Sequence, residues 1–164
     1  MPAPAPPFQR LLDEHAGAVY RLLVVEVGRD AADDCFQETF LAALRAYPPR
    51  HSGHLRSWVL TIAHRKALDH HRARGRAPIP VEEPPESAAP GTASDYDGRD
   101  LSTAAWERAG TLPESQRAVL ALRFAADLPH EEIAEILGTS TVAVRQRQSK
   151  ALGALRRSLQ EDPA

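Results

Sequence analysis

The stretch Glu131-EEIAEILGTSTVAVRQRQSKALGALRRSL-Leu159 decides how the chain is read. Its first part has a helical apolar rhythm in Ile133, Ala134, Ile136 and Leu137, and Leu128-Pro129 ahead of it opens a short helix. Gly138 then supplies a turn, because glycine takes a positive φ at little cost. Thr139, Ser140 or Thr141 caps a longer helix. At about 100° per residue, Val144, Ala151, Leu152 and Leu155 fall toward the body, while Val142, Arg145, Gln146, Ser149 and Lys150 fall outward. The charge splits in the same way: Glu131, Glu132 and Glu135 lie on the short helix, and from Thr139 to Gln160 there is no acid. A short helix, a glycine turn and a longer cationic helix form the helix-turn-helix pattern. A basic surface helix without a DNA role is the plainer alternative.

Upstream, the net charge of −2 hides a strong zoning. Between Arg50 and Arg76 stand seven Arg or Lys residues against Asp69 alone. Between Ala77 and Asp100 the acids Glu82, Glu83, Glu86, Asp95, Asp97 and Asp100 face Arg99 alone, among five prolines. Proline removes backbone donors, so residues 77–100 read as an acidic linker without its own core. The chain divides into 1–7, a disordered start; 8–76, a first module; 77–100, the linker; 101–160, a second module; and 161–164, a tail.

In the first module Phe8, Leu11, Leu12, His15, Val19, Leu22 and Leu23 recur at helical spacing, and Gly28 stops that helix. Asp30 is the expected N-cap of a second helix whose apolar positions include Cys35, Phe36, Phe40, Leu41 and Leu44. Ser52 or Gly53 opens a third, with Leu55, Trp58, Val59 and Ile62 buried and a cationic second half. No run has a strand period, so the fold class is all-α: two small helical domains joined by an irregular linker. The basic half of the third helix is either a solvated face or a phosphate-binding one. Tyr47 and Trp58, flanking the PPRHSGHLR loop, add stacking planes that suit an unpaired base.

Several classes recede. Cys35 is the only cysteine, which excludes an intrachain disulfide and a Cys-rich zinc site. It falls on an apolar stripe and reads as core, not as a nucleophile. His51, His54, His64, His70 and His71 with Asp69 raise a metal-nuclease reading, but no HExxH-like spacing occurs. Neither catalytic residues nor a cofactor or metal are expected. No apolar run approaches the roughly 18 residues of a membrane span, and MPAPAPP lacks the basic and apolar regions of a secretory signal. A cytoplasmic protein is expected.

The residues also resemble a known family. DDCFQETFLAAL (33–44) is similar to region 2.2 of bacterial σ70-family sigma factors, RSWVLTIAHRKALDHHRARGR (56–76) to regions 2.3 and 2.4, and residues 112–156 to region 4. Two helical modules without regions 1.1 or 3 resemble the extracytoplasmic-function (ECF) group. The resemblance implies binding to core RNA polymerase through Asp33, Asp34, Phe36, Gln37, Glu38 and Phe40 on the β′ clamp helices, with early helices of the second module on the β flap. It implies −10 promoter contacts from Arg50, His51, Ser52, His54, Arg56, Trp58, His64, Arg65, Arg72, Arg74 and Arg76. It implies −35 contacts from Ser140, Thr141, Val142, Arg145, Gln146, Arg147, Ser149 and Lys150. An anti-sigma factor is a further expected partner.

The sequence departs from the family pattern at Cys35, at Arg65 and at Gln148, where an apolar residue is usual. The linker's 24 residues reach at most roughly 80 Å extended and about 25–30 Å as a relaxed coil. Elements two DNA turns apart, roughly 70 Å, therefore require it to be stretched. In this reading polymerase does the stretching; an inert tether is the alternative. A polymerase-independent helix-turn-helix regulator is the rival function, although no heptad seam for dimerisation is present.

Overall fold

The computed structural model describes residues 5–50, 54–75 and 103–161. Seven α-helices account for most of them: α1 (Phe8–Val27), α2 (Arg29–Ala46), α3 (Leu55–Ala73), α4 (Thr103–Ala109), α5 (Glu114–Leu120), α6 (His130–Leu137) and α7 (Thr141–Glu161). Among the described residues there is no strand. The whole of the expected acidic linker, 77–100, lies outside the described residues, as do His51, Ser52, Gly53 and Arg76.

Gly28 ends α1 and begins α2 at once. At φ 82° its N–H donates to Val24 O, while its carbonyl accepts from Ala32 N. Asp30 is therefore not the N-cap; it sits in the first turn of α2, where its charge favours the helix dipole. His54 precedes α3 and gives no side-chain cap.

The helices α1, α2 and α3 enclose a core of Val19, Leu22, Leu23, Ala32, Cys35, Phe40, Ala43, Val59, Leu60 and Ala63. Leu41 and Leu44 of α2 do not join it. They are 52% and 54% exposed, because Thr39, Phe40 and Ala43 already turn the inner face of α2 to the bundle. Cys35 is buried, and burial pushes its thiol pKa up, as befits a packing residue.

In the second body Ala105, Ala109, Leu120, Ala151, Leu152 and Leu155 pack α4 and α5 against α7. Helix α5 continues as a π-helical turn, Ala121–Ala125, which ends where Asp127 takes a positive φ of 56°. That wider turn rotates Leu122 and Ala126 toward the first body. Val119, Leu122, Leu128, Ile133 and Val144 share one continuous buried cluster with Leu22, Leu23 and Val59. The two modules lie against each other, a contact that linker composition alone does not announce.

No helix among the described residues is long and apolar enough to cross a membrane.

Candidate nucleic-acid and protein interfaces

Three surfaces carry the candidate residues. On the second body, Gly138 ends α6 at φ 66° in the left-handed region, with its N–H bonded back to Glu135 O. Of the three candidate caps for α7, Ser140 does the work: its Oγ accepts from Ala143 N at 3.1 Å, a bond worth about 1 kcal/mol. Val144, fully buried, anchors the first turns, and Val142, Arg145, Ser149 and Lys150 are exposed. Thr141, Gln146 and Arg147 are half-buried at the edges of this face. Gln148 turns back toward α6, where His130 Nε2 donates to its Oε1 at 2.7 Å. A polar residue at that position is thus satisfied across the two helices of the motif. An α-helix fits within a DNA major groove, and the amide and guanidinium donors and the apolar Val142 on this face are side chains of the types used to read base edges and thymine methyls.

On the first body, α3 presents its basic half. Arg65, Arg72 and Arg74 are exposed, and Arg50 is exposed at the end of α2's trailing loop. His70 is held below the ordinary histidine pKa by burial and by its neighbours Arg74 and His71, so it adds little charge there. Trp58 is half-buried beside Tyr47, with ring centroids 6.2 Å apart. His64, expected on the −10 face, is instead interior. Its Nδ1 donates to Glu26 Oε1 at 2.7 Å, and both side chains are buried. His71 Nε2 donates to the Glu26 carbonyl at 2.7 Å. These two bonds fasten the cationic half of α3 to the end of α1. Burial opposes charge on His64, but the Glu26 carboxylate outweighs it and the pKa is raised.

The third surface is the outer face of α2. Asp33, Asp34, Gln37 and Glu38 are exposed and share it with Leu41 and Leu44. Phe36 is half-buried, edge-on to Tyr20 and 4.8 Å from Phe40 between centroids. Phe40 itself is 7% exposed and supports the patch from within. Two large apolar side chains set among acids on this helix make it a candidate protein-docking face. The sequence reading counted Leu41 and Leu44 among the apolar positions of this helix without separating them from the inner stripe; their place four and seven residues after Gln37, on the face of the exposed acids, is the signal that does so.

Among the described residues no group of three or more His, Cys, Asp or Glu side chains is placed to hold a metal ion.

An all-α chain with a helix-turn-helix body and a second body carrying a basic helix and an acidic-apolar helix falls in the class of DNA-binding proteins, and its likeness to known proteins gives it a family. The family model described as Sigma-70 region 2 matches residues 11–77, and that described as Sigma-70, region 4 matches residues 110–157. The chain is 36% identical over 136 residues to the ECF RNA polymerase sigma factor ShbA of Streptomyces griseus, covering 78% of this chain and 71% of that protein. It is 32% identical over 153 residues to the RNA polymerase sigma factor SigV of Bacillus subtilis, covering 92% and 90%. Among solved structures it is similar to the sigma factor RpoE of Bartonella quintana in complex with the anti-sigma factor NepR. That similarity has a TM-score of 0.73 at 22% identity, over 94% of this chain and 98% of that one, and speaks to the fold. The chain belongs to the σ70 family of RNA polymerase sigma factors, in the ECF group.

Proposed function

We propose that this chain binds core RNA polymerase, directs it to promoters through −35 and −10 elements, and helps melt the DNA at the second. The observation that carries the reading is the pairing in one chain of the α7 face with the α2 docking face. A polymerase-independent regulator needs the first and has no use for the second.

In this reading Asp33, Asp34, Gln37, Glu38, Leu41 and Leu44 meet the β′ clamp helices, with Phe36 and Phe40 holding the patch in shape. Arg145, with Gln146, Arg147, Ser149 and Lys150, enters the −35 major groove, while Ser140 and Thr141 approach the backbone at the helix N-terminus. Arg65, Arg72 and Arg74 track phosphates of the −10 strand, and Trp58 offers a stacking plane for an extruded base. Arg50 and His54 belong to the loop that receives it, and Arg56 to the first turn of α3 beside it; His51, Ser52 and Arg76 lie outside the described residues. His64 acts only through the position of α3. The linker spans the two sites on the polymerase surface. The site of action is the cytoplasm, where polymerase is. An anti-sigma factor is the expected inhibitor, in line with the solved sigma factor–NepR and CnrH–CnrY complexes.

Co-elution with purified core polymerase on size exclusion tests the reading. Arg145→Ala should co-elute like the native chain. It should lower run-off transcription from a cognate promoter by about tenfold, as expected for the loss of one base-reading guanidinium worth roughly 1–3 kcal/mol. Equal loss of polymerase binding and transcription in this variant would contradict the assignment of α7 to DNA.

A further inference from the structure

Past Ala67 no residue of α3 is buried, yet this end of the helix carries Arg72 and Arg74, both exposed. Just before it, the helix packs through Ala63 and Ala67, fully buried in the core shared with Leu22 and Leu23 of α1. Alanine side chains stand little above the helix surface and mesh weakly as ridges, so they leave the rotation of α3 about its axis poorly fixed. Two polar pins supply what the alanines lack. His64 Nδ1 donates to the Glu26 carboxylate and His71 Nε2 to the Glu26 main-chain carbonyl, each at 2.7 Å. Seven residues separate the two histidines, close to two full turns, so both lie on one face about 10 Å apart along the axis. The exposed Arg65 and Arg72 each follow a pinned histidine by one residue, about 100° further round.

The acceptor is a helix end. Glu26 lies in the last turn of α1, where carbonyls have no partner within the helix. That turn holds no basic residue; Gly28 N takes Val24 O, and α2 starts at once with Arg29. His71 supplies the capping donor for Glu26 O from a different helix. A carbonyl oxygen only accepts, so Nε2 of His71 carries a proton whenever this bond is made.

We propose that His71 is a positioning residue for DNA: bonded to the end of α1, it fixes the rotational setting of the last turns of α3 and with it the reach of Arg72 and Arg74 to phosphates of the −10 strand. This role rests on the sigma-factor reading above and adds to it a residue that does not itself touch DNA. His64 fixes the same face two turns earlier, and Glu26 serves both pins. Without the His71 bond the terminal turns pivot at Ala67, and a displacement of about 1 Å is enough to break a guanidinium–phosphate hydrogen bond.

The test uses core polymerase saturated with the chain and a fluorescein-labelled cognate promoter duplex, titrated at several salt concentrations. His71→Leu should weaken binding about tenfold and lower the slope of log K against log salt by about one, the share of one phosphate contact. His71→Gln, whose side-chain amide carries an N–H donor to a similar reach, should restore both. Placed on Arg72→Ala/Arg74→Ala, His71→Leu should add almost nothing, because it acts through those arginines. Loss of fold alone lowers the competent fraction and leaves the slope as it was; urea denaturation of each chain measures it. Native affinity in His71→Leu, weaker binding with an unchanged slope, no restoration by His71→Gln, or full additivity with the arginine variants overturns the positioning role and leaves the sigma-factor reading standing. No chain-dependent binding or run-off from any promoter fragment with the native chain removes that reading and the positioning role with it.

Discussion

Glu26→Ala should lower the unfolding free energy by about 3 kcal/mol near pH 6. Glu26 is 5% exposed and its carboxylate accepts the hydrogen bond of His64, itself 5% exposed. Its removal leaves a buried imidazole that must either stay charged without a partner or lose its proton. Deprotonation is the cheaper escape, which holds the loss at the low end of the range for broken buried pairs.

The pH dependence follows from the direction of the shift. The folded pKa of His64 is raised above its ordinary value of 6.5. Stability from the pair is therefore fully present below that ordinary value and is lost as pH rises through the folded value. The gap between native chain and variant should narrow between a pH below 6.5 and a pH above the raised folded value. His15 works in the opposite sense. Burial and the nearby Arg56 lower its pKa, so it costs stability as pH falls below 6.5. That contribution is common to both proteins and cancels in the difference. Urea denaturation at the two pH values measures the gap; a gap independent of pH would show that the pair is neutral throughout. Glu26→Gln, which keeps an acceptor for His64, should lose less and show a flatter profile.

Leu41→Asp/Leu44→Asp should weaken binding to core polymerase by roughly 100-fold while leaving the fold intact. Central apolar anchors of a protein interface each contribute about 2 kcal/mol or more, with less than full additivity. Both leucines are more than half exposed in the free chain, so the double change should shift folding stability by only about 0.5 kcal/mol per site. A fluorescence titration of labelled chain with core polymerase gives the affinity, and urea denaturation gives the stability. Undiminished affinity would remove the docking role from the outer face of α2. A large stability loss would return the leucines to structural duty.

Much of this architecture was legible from local chemistry. Gly138, Ser140 and the Val144–Ala151–Leu152–Leu155 stripe announce α6, the turn and α7, because capping and helical periodicity act within a few residues. Gly28 marks the α1–α2 break for the same reason. What was not legible depends on partners distant in sequence. Leu41 and Leu44 look like core by residue type, and only the packing of α1 and α3 on the opposite side of α2 places them outside. His64 looks like part of a cationic run until Glu26, 38 residues earlier, neutralises it. The π-helical turn at Ala121–Ala125, which brings Leu122 and Ala126 to the first body, has no local motif. The acids of α6 read as repulsion kept away from DNA; their contact with Ser57 and His54 becomes visible only when the modules are placed side by side.

The account turns on two helical bodies that read separated DNA elements only while polymerase holds them apart. Its most direct measurement is run-off transcription from a library of genomic fragments, with core polymerase alone and with core plus this chain, mapping RNA 5′ ends. The account predicts starts that require the chain and that share two sequence elements upstream at a fixed separation of about two DNA turns. No chain-dependent start from any fragment, or starts that share no upstream pair of elements, would contradict it.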